Sequence, residues 1–221
     1  MTAPRPSKGT QTRERILDAA LAVASREGLE GLTIGLLADA MDMSKSGVFA
    51  HFGSREELQI AVIDEYARRF MDAVYFPAIG LPRGLPRLRA MYENWLYRVQ
   101  HVEIPNGCVF ISGAVEFDDK EGPVRDRMVL VNRGWQGEML KAARQAIEQG
   151  HLASDCEPEQ LVFELYGFML SLHHDARLLR EPRAVERARV AFVRAIKAYG
   201  TQAGIALMAA PQLTGEAALA A

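Results

Sequence analysis

Apolar residues recur at three- and four-residue spacing along most of this chain, and Gly and Pro interrupt the recurrence. Alternating apolar runs bounded by hairpin turns, which would indicate strands, are nearly absent. Helical spacing gives each segment one apolar face, which must pack against other helices. The pattern therefore predicts an all-α protein, and 221 residues are enough to bury a sizeable core.

Breaks in this spacing predict helices over 10–27, 32–40, 45–51, 54–75, 86–102, 106–117, 122–149, 158–180 and 182–199. A Pro- and Gly-rich stretch from Pro77 to Pro86 is the predicted domain boundary. The predicted order along the chain is a flexible arm (1–9), a three-helix domain (10–53), a connecting helix (54–76), a helical domain (77–200) and a mobile tail (201–221).

Composition excludes several classes of protein. The chain has 26 Lys and Arg against 28 Asp and Glu, a net charge of −2, which excludes a uniformly basic nucleic-acid coat. The two cysteines, Cys108 and Cys156, cannot form a disulfide scaffold. The polar start lacks the apolar core of a signal peptide, and the longest apolar stretches are too short to span a bilayer. We therefore expect a soluble cytoplasmic protein.

The segment 33–51 is predicted to form two short helices around a tight turn, the helix-turn-helix layout. A short second helix can enter the major groove of DNA, which is about 12 Å wide. Thr33 and Ser44 begin the two helices, and the free amide groups there attract phosphate. Lys45 and Ser46 follow and can reach phosphates or base edges. Capped helices around a turn also occur in many all-α proteins, so the spacing alone leaves a protein-interaction module without DNA binding open.

The same region resembles the amino-terminal signature of the TetR family of transcriptional repressors. Over about 10–58, the residues in register are Ser44-Lys45, the aromatic Phe49, His51-Phe52 and Ser54-Arg55-Glu56-Glu57-Leu58. The resemblance implies a homodimer that binds a palindromic operator through the three-helix domain. It also implies a helical second domain that binds a small-molecule effector and dimerises. The carboxy-terminal part resembles the family only in its all-helical layout.

The resemblance further implies roles for single residues. The implied DNA contacts are phosphates at Thr33 and Ser44, the DNA surface at Lys45 and Ser46, the DNA backbone at His51 and a further phosphate at Arg55. Phe49 is counted among these contacts, although it replaces a Tyr of the family and lacks the hydroxyl group. Two more residues depart from the family pattern, since Asp42 replaces a turn Gly and Gly47 replaces a Thr.

Two helices near the carboxyl end are predicted to form the dimer interface. The helix 158–180 is apolar nearly all round between 161 and 172, so it must be covered on two sides. The helix 182–199 has one apolar stripe. Two such helices from each subunit would make a four-helix interface, and an ordinary bundle within one chain is the alternative.

Large aromatic and sulphur-containing side chains of the second domain are candidate ligand contacts: Tyr92, Trp95, Phe110, Phe117, Met128, Trp135 and Met139. They favour an apolar or aromatic effector, although most would be plain core. Gly134 and Gly137 leave room beside Trp135, either for a ligand or for the close approach of another helix. The connecting helix, roughly 30 Å long at 1.5 Å per residue, is the predicted lever between effector and DNA.

Known catalytic and metal-binding motifs are missing from the sequence, so we expect no enzyme activity, metal or cofactor. It lacks His-Glu-x-x-His, Cys-x-x-Cys, a P-loop and Gly-x-Ser-x-Gly. The adjacent His173 and His174 point about 100° apart on a helix and do not easily share a metal. Cys108 lies at a predicted helix start that favours a thiolate, so it is either a redox or effector sensor or an inert buried thiol. The acidic run 116–119 is interpreted as a solvated helix end.

Overall fold

The computed structural model describes residues 8–209 of the chain. Regular structure in this range is helical, and the β-structure found there is an isolated antiparallel bridge between Leu152 and Gly200. The all-α prediction is therefore confirmed. Among the helices of this range, none combines the length and the apolar composition that a membrane span requires.

The helices mostly follow the predicted segments. In chain order they are α1 (Lys8–Glu27), α2 (Ile34–Ala40), α3 (Lys45–Phe52), α4 (Arg55–Phe70), α5 (Phe76–Ile79), α6 (Leu85–Arg98), α7 (Ile104–Asn106), α8 (Val109–Phe117), α9 (Pro123–Glu148), α10 (Pro158–His173), α11 (Ala184–Tyr199) and α12 (Gln202–Ala209). Five-residue π-helical turns follow α4, α6 and α10, at Met71–Tyr75, Val99–Glu103 and His174–Leu178. These turns occupy the ends of the predicted helices 54–75, 86–102 and 158–180.

The described residues form two compact units. The amino-terminal unit contains 8–68 together with 106–131, and the carboxy-terminal unit contains 69–105 and 132–209. This division differs from the predicted boundary at 77–86, because it falls inside α4 and assigns α8 and the first turns of α9 to the amino-terminal unit. Contacts distant in sequence explain the difference, since Leu29 and Met128 both lie against Gly113 in the middle of α8.

The core of the amino-terminal unit is built from one face of each helix. Its buried residues include Ile16, Ala20, Ala24, Leu37, Val48, Phe52 and Leu58. The side chain of Phe52 is covered on one side by Arg13, whose guanidinium carbon lies 4.9 Å from the ring centre. Because one face of α3 joins this core, its opposite face is not covered by other residues of the unit.

Aromatic rings fill much of the core of the carboxy-terminal unit. Phe70 lies edge-on to Trp95 and Trp135, with ring centres 5.8 and 4.9 Å away. Tyr92 stacks on Phe192 with ring centres 4.2 Å apart. Edge-on and stacked pairs of this kind stabilise a core beyond the burial of apolar area.

A cluster of ionisable side chains is buried in the carboxy-terminal unit. Glu103 has no exposed surface, and Arg98 and His173 are almost as deeply buried. Nε of Arg98 donates to Oε1 of Glu103 at 2.9 Å, and Nε2 of His173 lies 2.9 Å from Oε2. The carboxylate of Glu103 therefore supplies the counter-charge that a buried guanidinium requires.

The described range begins and ends in helix, where the sequence predicts part of a flexible arm and part of a mobile tail. Lys8 and Gly9, predicted to belong to the flexible arm, begin α1, and the rest of the arm (1–7) lies outside the described residues. The predicted mobile tail is corrected for 202–209, which form α12, whereas 210–221 lie outside the described residues. Contacts made by α12 explain the correction. Oγ1 of Thr201 accepts from the N–H of Gly204 at 3.2 Å, and Arg89 donates to the carbonyl of Leu207 at 3.0 Å.

Candidate nucleic-acid interface

Side-chain caps define the starts of the two short helices α2 and α3. Oγ1 of Thr33 accepts a hydrogen bond from the N–H of Leu36 at 3.1 Å, and Oγ of Ser44 accepts one from the N–H of Gly47 at 3.1 Å. In the turn between the helices, Asp42 has a φ of 53°, a left-handed conformation that Asp tolerates better than most residues. The predicted helix-turn-helix layout is therefore present in the structure.

The helix α3 has one buried face and one exposed face. Val48 and Phe52, four residues apart, are 0% and 4% exposed. The opposite side, which we name the exposed α3 face, consists of Lys45, Ser46, Phe49 and Ala50. Residues at this spacing form a single stripe along a helix. A short helix with such an uncovered stripe has the shape that fits the major groove of DNA.

The side chain of Lys45 lies over the start of α2. A Cβ added to Gly35 would be 3.4 Å from Cε and 3.7 Å from Nζ of Lys45, and 4.0 Å from Oγ1 of Thr33. The ammonium group thus lies beside the capped end of α2, where the helix dipole is positive. A glycine at position 35 leaves room for this side chain. The combination of ammonium, amide and hydroxyl groups suits a phosphate oxygen better than a base edge.

The two serines at the start of α3 bind each other. Oγ of Ser44 lies 3.1 Å from Oγ of Ser46, and the Ser44 hydroxyl already caps the helix. Both residues are exposed. Their hydroxyl groups therefore stabilise the end of α3 whose first N–H groups are available to an anion.

His51 and Arg55 have different surroundings. His51 is half-buried and lines a surface groove of about 480 Å³, whose charged lining combines Arg13 and Arg68 with the carboxylates of Glu57, Asp64 and Glu65. Arg55 donates through Nε to the carbonyl of Leu32 at 3.0 Å, while 44% of its side chain remains exposed. Arg55 therefore holds the loop before α2, a structural role that no pattern in the sequence indicated.

Other residues far along the chain hold the same loop. Glu116 of α8 accepts from the N–H of Glu30 at 2.7 Å, and the side-chain amide of Gln59 donates to the carbonyl of Leu29 at 2.7 Å. Nζ of Lys120 lies 3.4 Å from the Glu30 carboxylate. The interpretation of Glu116 as part of a solvated helix end is therefore corrected. No local pattern indicated this bond, because its partners lie 86 residues apart.

The predicted ligand contacts are all buried, but they are divided between the two units. Phe110, Phe117 and Met128 belong to the amino-terminal unit. The others, Tyr92, Trp95, Trp135 and Met139, belong to the carboxy-terminal unit. Neither unit therefore contains the whole predicted set, and an effector role for any of these residues stays a prediction.

Within the carboxy-terminal unit, the polar atoms of Tyr92 and Trp135 differ in their bonding. The Tyr92 hydroxyl donates to the carbonyl of Ala188 at 3.2 Å, and burial raises the pKa of this phenol. The indole N–H of Trp135 is buried and lacks a hydrogen-bond partner among residues 8–209. A Cβ added to Gly134 or Gly137 would meet nothing within 4 Å, so close approach of another helix is not found there in the described chain.

Both cysteines are buried, and neither forms a disulfide. Sγ of Cys108 accepts a hydrogen bond from the Tyr66 hydroxyl at 3.3 Å. Burial raises the pKa of the Cys156 thiol, which favours its protonated form. A sensing role for Cys108 stays a prediction.

A capped helix-turn-helix followed by a separate helical unit defines the class of helix-turn-helix regulators. Residues 16–62 match the family model described as bacterial regulatory proteins of the tetR family. Residues 84–192 match a second model, described as tetracyclin repressor-like, C-terminal domain. The chain belongs to the TetR family of transcriptional regulators, and the resemblance seen in the sequence is confirmed.

Two named relatives illustrate the range of similarity. The chain is 20% identical to the HTH-type transcriptional regulator SrpR of Pseudomonas putida over 184 residues, which are 83% of this chain and 84% of that protein. It is 34% identical to the HTH-type transcriptional repressor AcnR of Corynebacterium glutamicum over 74 residues, 34% of this chain. In this second match the chain spans 39% of the length of AcnR.

Solved structures share the fold. A TetR-family transcriptional regulator from Cytophaga hutchinsonii gives a TM-score of 0.77 at 16% identity, covering 90% of this chain and 100% of that chain. A TetR transcriptional regulator from Chloroflexus aurantiacus gives 0.73 at 23% identity, covering 86% of this chain and 94% of that chain. At these identities the likeness establishes the helical architecture.

Proposed function

We propose that this chain is a transcriptional repressor that binds palindromic operator DNA as a homodimer and is released by a small-molecule effector. The observation that carries the DNA-binding part is the convergence of Lys45 and Thr33 at the start of α2, next to the exposed α3 face. A chain with a net charge of −2 needs such a local arrangement to attract a polyanion.

The DNA contacts divide into two kinds. Thr33, Lys45 and the N–H groups at the Ser44 end of α3 bind phosphates and set the position of the protein on the duplex. Ser46 and Phe49 face the base edges from the exposed α3 face. At the border of this surface, His51 and Arg55 contact the DNA backbone. For Arg55, almost half of the side chain remains exposed.

The homodimer forms through α10 and α11 in this proposal. Phe163 and Leu170 of α10 are 74% and 45% exposed, and Val190 of α11 is 42% exposed. Between the first two, Gly167 has open space where a Cβ would be. Large exposed apolar side chains on two packed helices favour burial against another protein surface. Two helices from each subunit would make a four-helix interface that covers them.

The effector binds in the carboxy-terminal unit, and Trp135 gives the clearest indication of its chemistry. Its indole N–H is buried with no partner among the described residues, and the rings of Phe70 and Trp95 lie edge-on to it. A buried donor without a partner is costly. An apolar or aromatic molecule with one hydrogen-bond acceptor would fit these surroundings.

The helix α4 is the proposed lever between effector and DNA. It contains residues of both units, since the division falls at Arg68. Effector binding that tilts α4 would change the spacing between the two α3 helices of the dimer. A coupling of about 1–3 kcal/mol would weaken operator binding roughly 5- to 150-fold.

Selection of bound fragments from random duplex DNA tests this function. We expect enrichment of a palindrome with half-sites about one helical turn apart, roughly 34–36 Å between centres, because each subunit presents one α3. Enrichment of an isolated half-site would contradict the homodimer. No enrichment at low ionic strength would contradict DNA binding itself.

A further inference from the structure

Phe49 occupies an unusual position for a phenylalanine. Its side chain is 51% exposed, whereas Val48 and Phe52 on the other side of α3 are buried. It lies on the exposed α3 face one turn after Lys45. Exposed phenyl groups are costly in water, so a large ring at this position gains free energy when a binding partner covers it.

The polar groups near Phe49 lie at the start of α3 or are directed away from the ring. The hydroxyls of Ser44 and Ser46 bind each other, and Ser44 also caps α3. The Lys45 side chain lies over the start of α2 rather than along α3. The centre of the exposed α3 face is therefore apolar and consists of Phe49 with Ala50 beside it.

We propose that Phe49 selects thymine in each operator half-site by packing against its C5-methyl group, with Ala50 extending the apolar contact. The inference rests on the proposed function, and the positive groups at the start of α2 explain why DNA covers this face. In the major groove, thymine presents a methyl group beside its O4 acceptor, whereas the other bases present hydrogen-bonding groups and no methyl group. A phenyl ring satisfies none of those hydrogen-bonding groups, and covering them without a partner is unfavourable.

This proposal gives a physical reason for the replacement of the family's Tyr by Phe49. A phenolic hydroxyl would need a hydrogen-bond partner when buried against DNA. Phe49 has no such requirement, so its ring can be covered completely by an apolar group. Replacing Tyr by Phe therefore removes a hydroxyl contact and shifts the base preference toward thymine, which carries a methyl group.

Replacing thymine by deoxyuridine tests the proposal, because this change removes only the methyl group. In the duplex obtained by selection from random DNA, each thymine is replaced symmetrically in both half-sites, and Kd is measured for the wild-type protein. At one thymine position we expect affinity to fall about fourfold per half-site, hence roughly 16-fold for the dimer. This factor corresponds to the free energy gained by burying one methyl group, which deoxyuridine lacks.

Three variants identify the side chain responsible. Phe49→Ala should lose most of the discrimination between the thymine and deoxyuridine duplexes, and Phe49→Leu, which keeps a larger apolar contact, should retain more of it. Phe76→Ala is the matched control, since Phe76 is 54% exposed in the carboxy-terminal unit, and it should discriminate like the wild type. Thermal unfolding of each variant verifies that the fold is intact.

The outcomes separate this inference from the proposed function. If a duplex is selected but deoxyuridine changes nothing, or if Phe49→Ala still discriminates like the wild type, thymine selection by Phe49 is wrong and DNA binding stands. If no duplex is selected at all, the proposed function fails and this inference fails with it.

Discussion

Gly107→Ala is expected to lower the free energy of unfolding by about 3–5 kcal/mol, near the upper end for a single substitution. Gly107 lies between α7 and α8, where it breaks the predicted helix 106–117, and it has a φ of 107°. A side chain is strained at this φ, and an added Cβ would overlap the carbonyl oxygen of Ser25 in α1. Because the obstacle is backbone, a rotamer change cannot relieve it.

Gly122→Ala is the matched control for this prediction. Gly122 also has a positive φ, 122°, and belongs to the same unit, but an added Cβ would meet nothing within 4 Å. It therefore carries backbone strain without overlap, and its expected cost is about 1 kcal/mol. Chemical denaturation of both variants gives the two free energies. Equal losses would show that the approach of α1 to Gly107 is not the cause.

Glu103→Gln is expected to lower the free energy of unfolding by about 3–5 kcal/mol, because it leaves the charge of Arg98 buried without its counter-charge. Glu103 has no exposed surface, and Arg98 is 5% exposed. Glutamine has nearly the same size as glutamate, so the packing around residue 103 is retained. The loss measured by denaturation therefore reports the missing charge rather than a cavity.

A double variant and an exposed pair provide the controls. Arg98→Met combined with Glu103→Leu should restore part of the stability, since apolar replacement of both charges is often neutral, while Nε2 of His173 loses its partner on Glu103. Methionine also suits the space over the Phe70 ring, where the Arg98 guanidinium now lies 5.7 Å from the ring centre. Glu186→Gln breaks an exposed ion pair with Arg183 and should leave the unfolding midpoint unchanged. Equal losses of stability in Glu103→Gln and Glu186→Gln would contradict the claim that burial makes the Glu103 carboxylate important for stability.

Features that depend on neighbouring residues were predictable from the sequence. The caps at Thr33 and Ser44 each involve an N–H three residues later. The turn at Asp42 depends on the conformational tolerance of one residue. For this reason the helix-turn-helix, which is the candidate site, could be placed correctly before the structure was known.

Features that depend on distant contacts could not be predicted in this way. Arg55 and Glu116 hold the loop before α2 through partners 23 and 86 residues away, and no periodicity in the sequence encodes such a bond. The helical segment 202–209 and the division of the chain inside α4 likewise depend on long-range packing. The predicted ligand set was divided between two units because aromatic composition alone does not specify which core a ring joins.

The salt dependence of operator affinity tests DNA binding through α3 most directly. On the selected duplex, the logarithm of the association constant should fall linearly with the logarithm of salt concentration, with a slope of about −0.9 for each phosphate neutralised. Lys45→Ala should weaken binding to all duplexes alike and make the slope shallower by about 1 per subunit. Lys141→Ala, which removes an exposed cation from α9, should leave the slope unchanged. A flat slope for the wild type, or an unchanged slope in Lys45→Ala, would contradict the account and favour a module that binds protein.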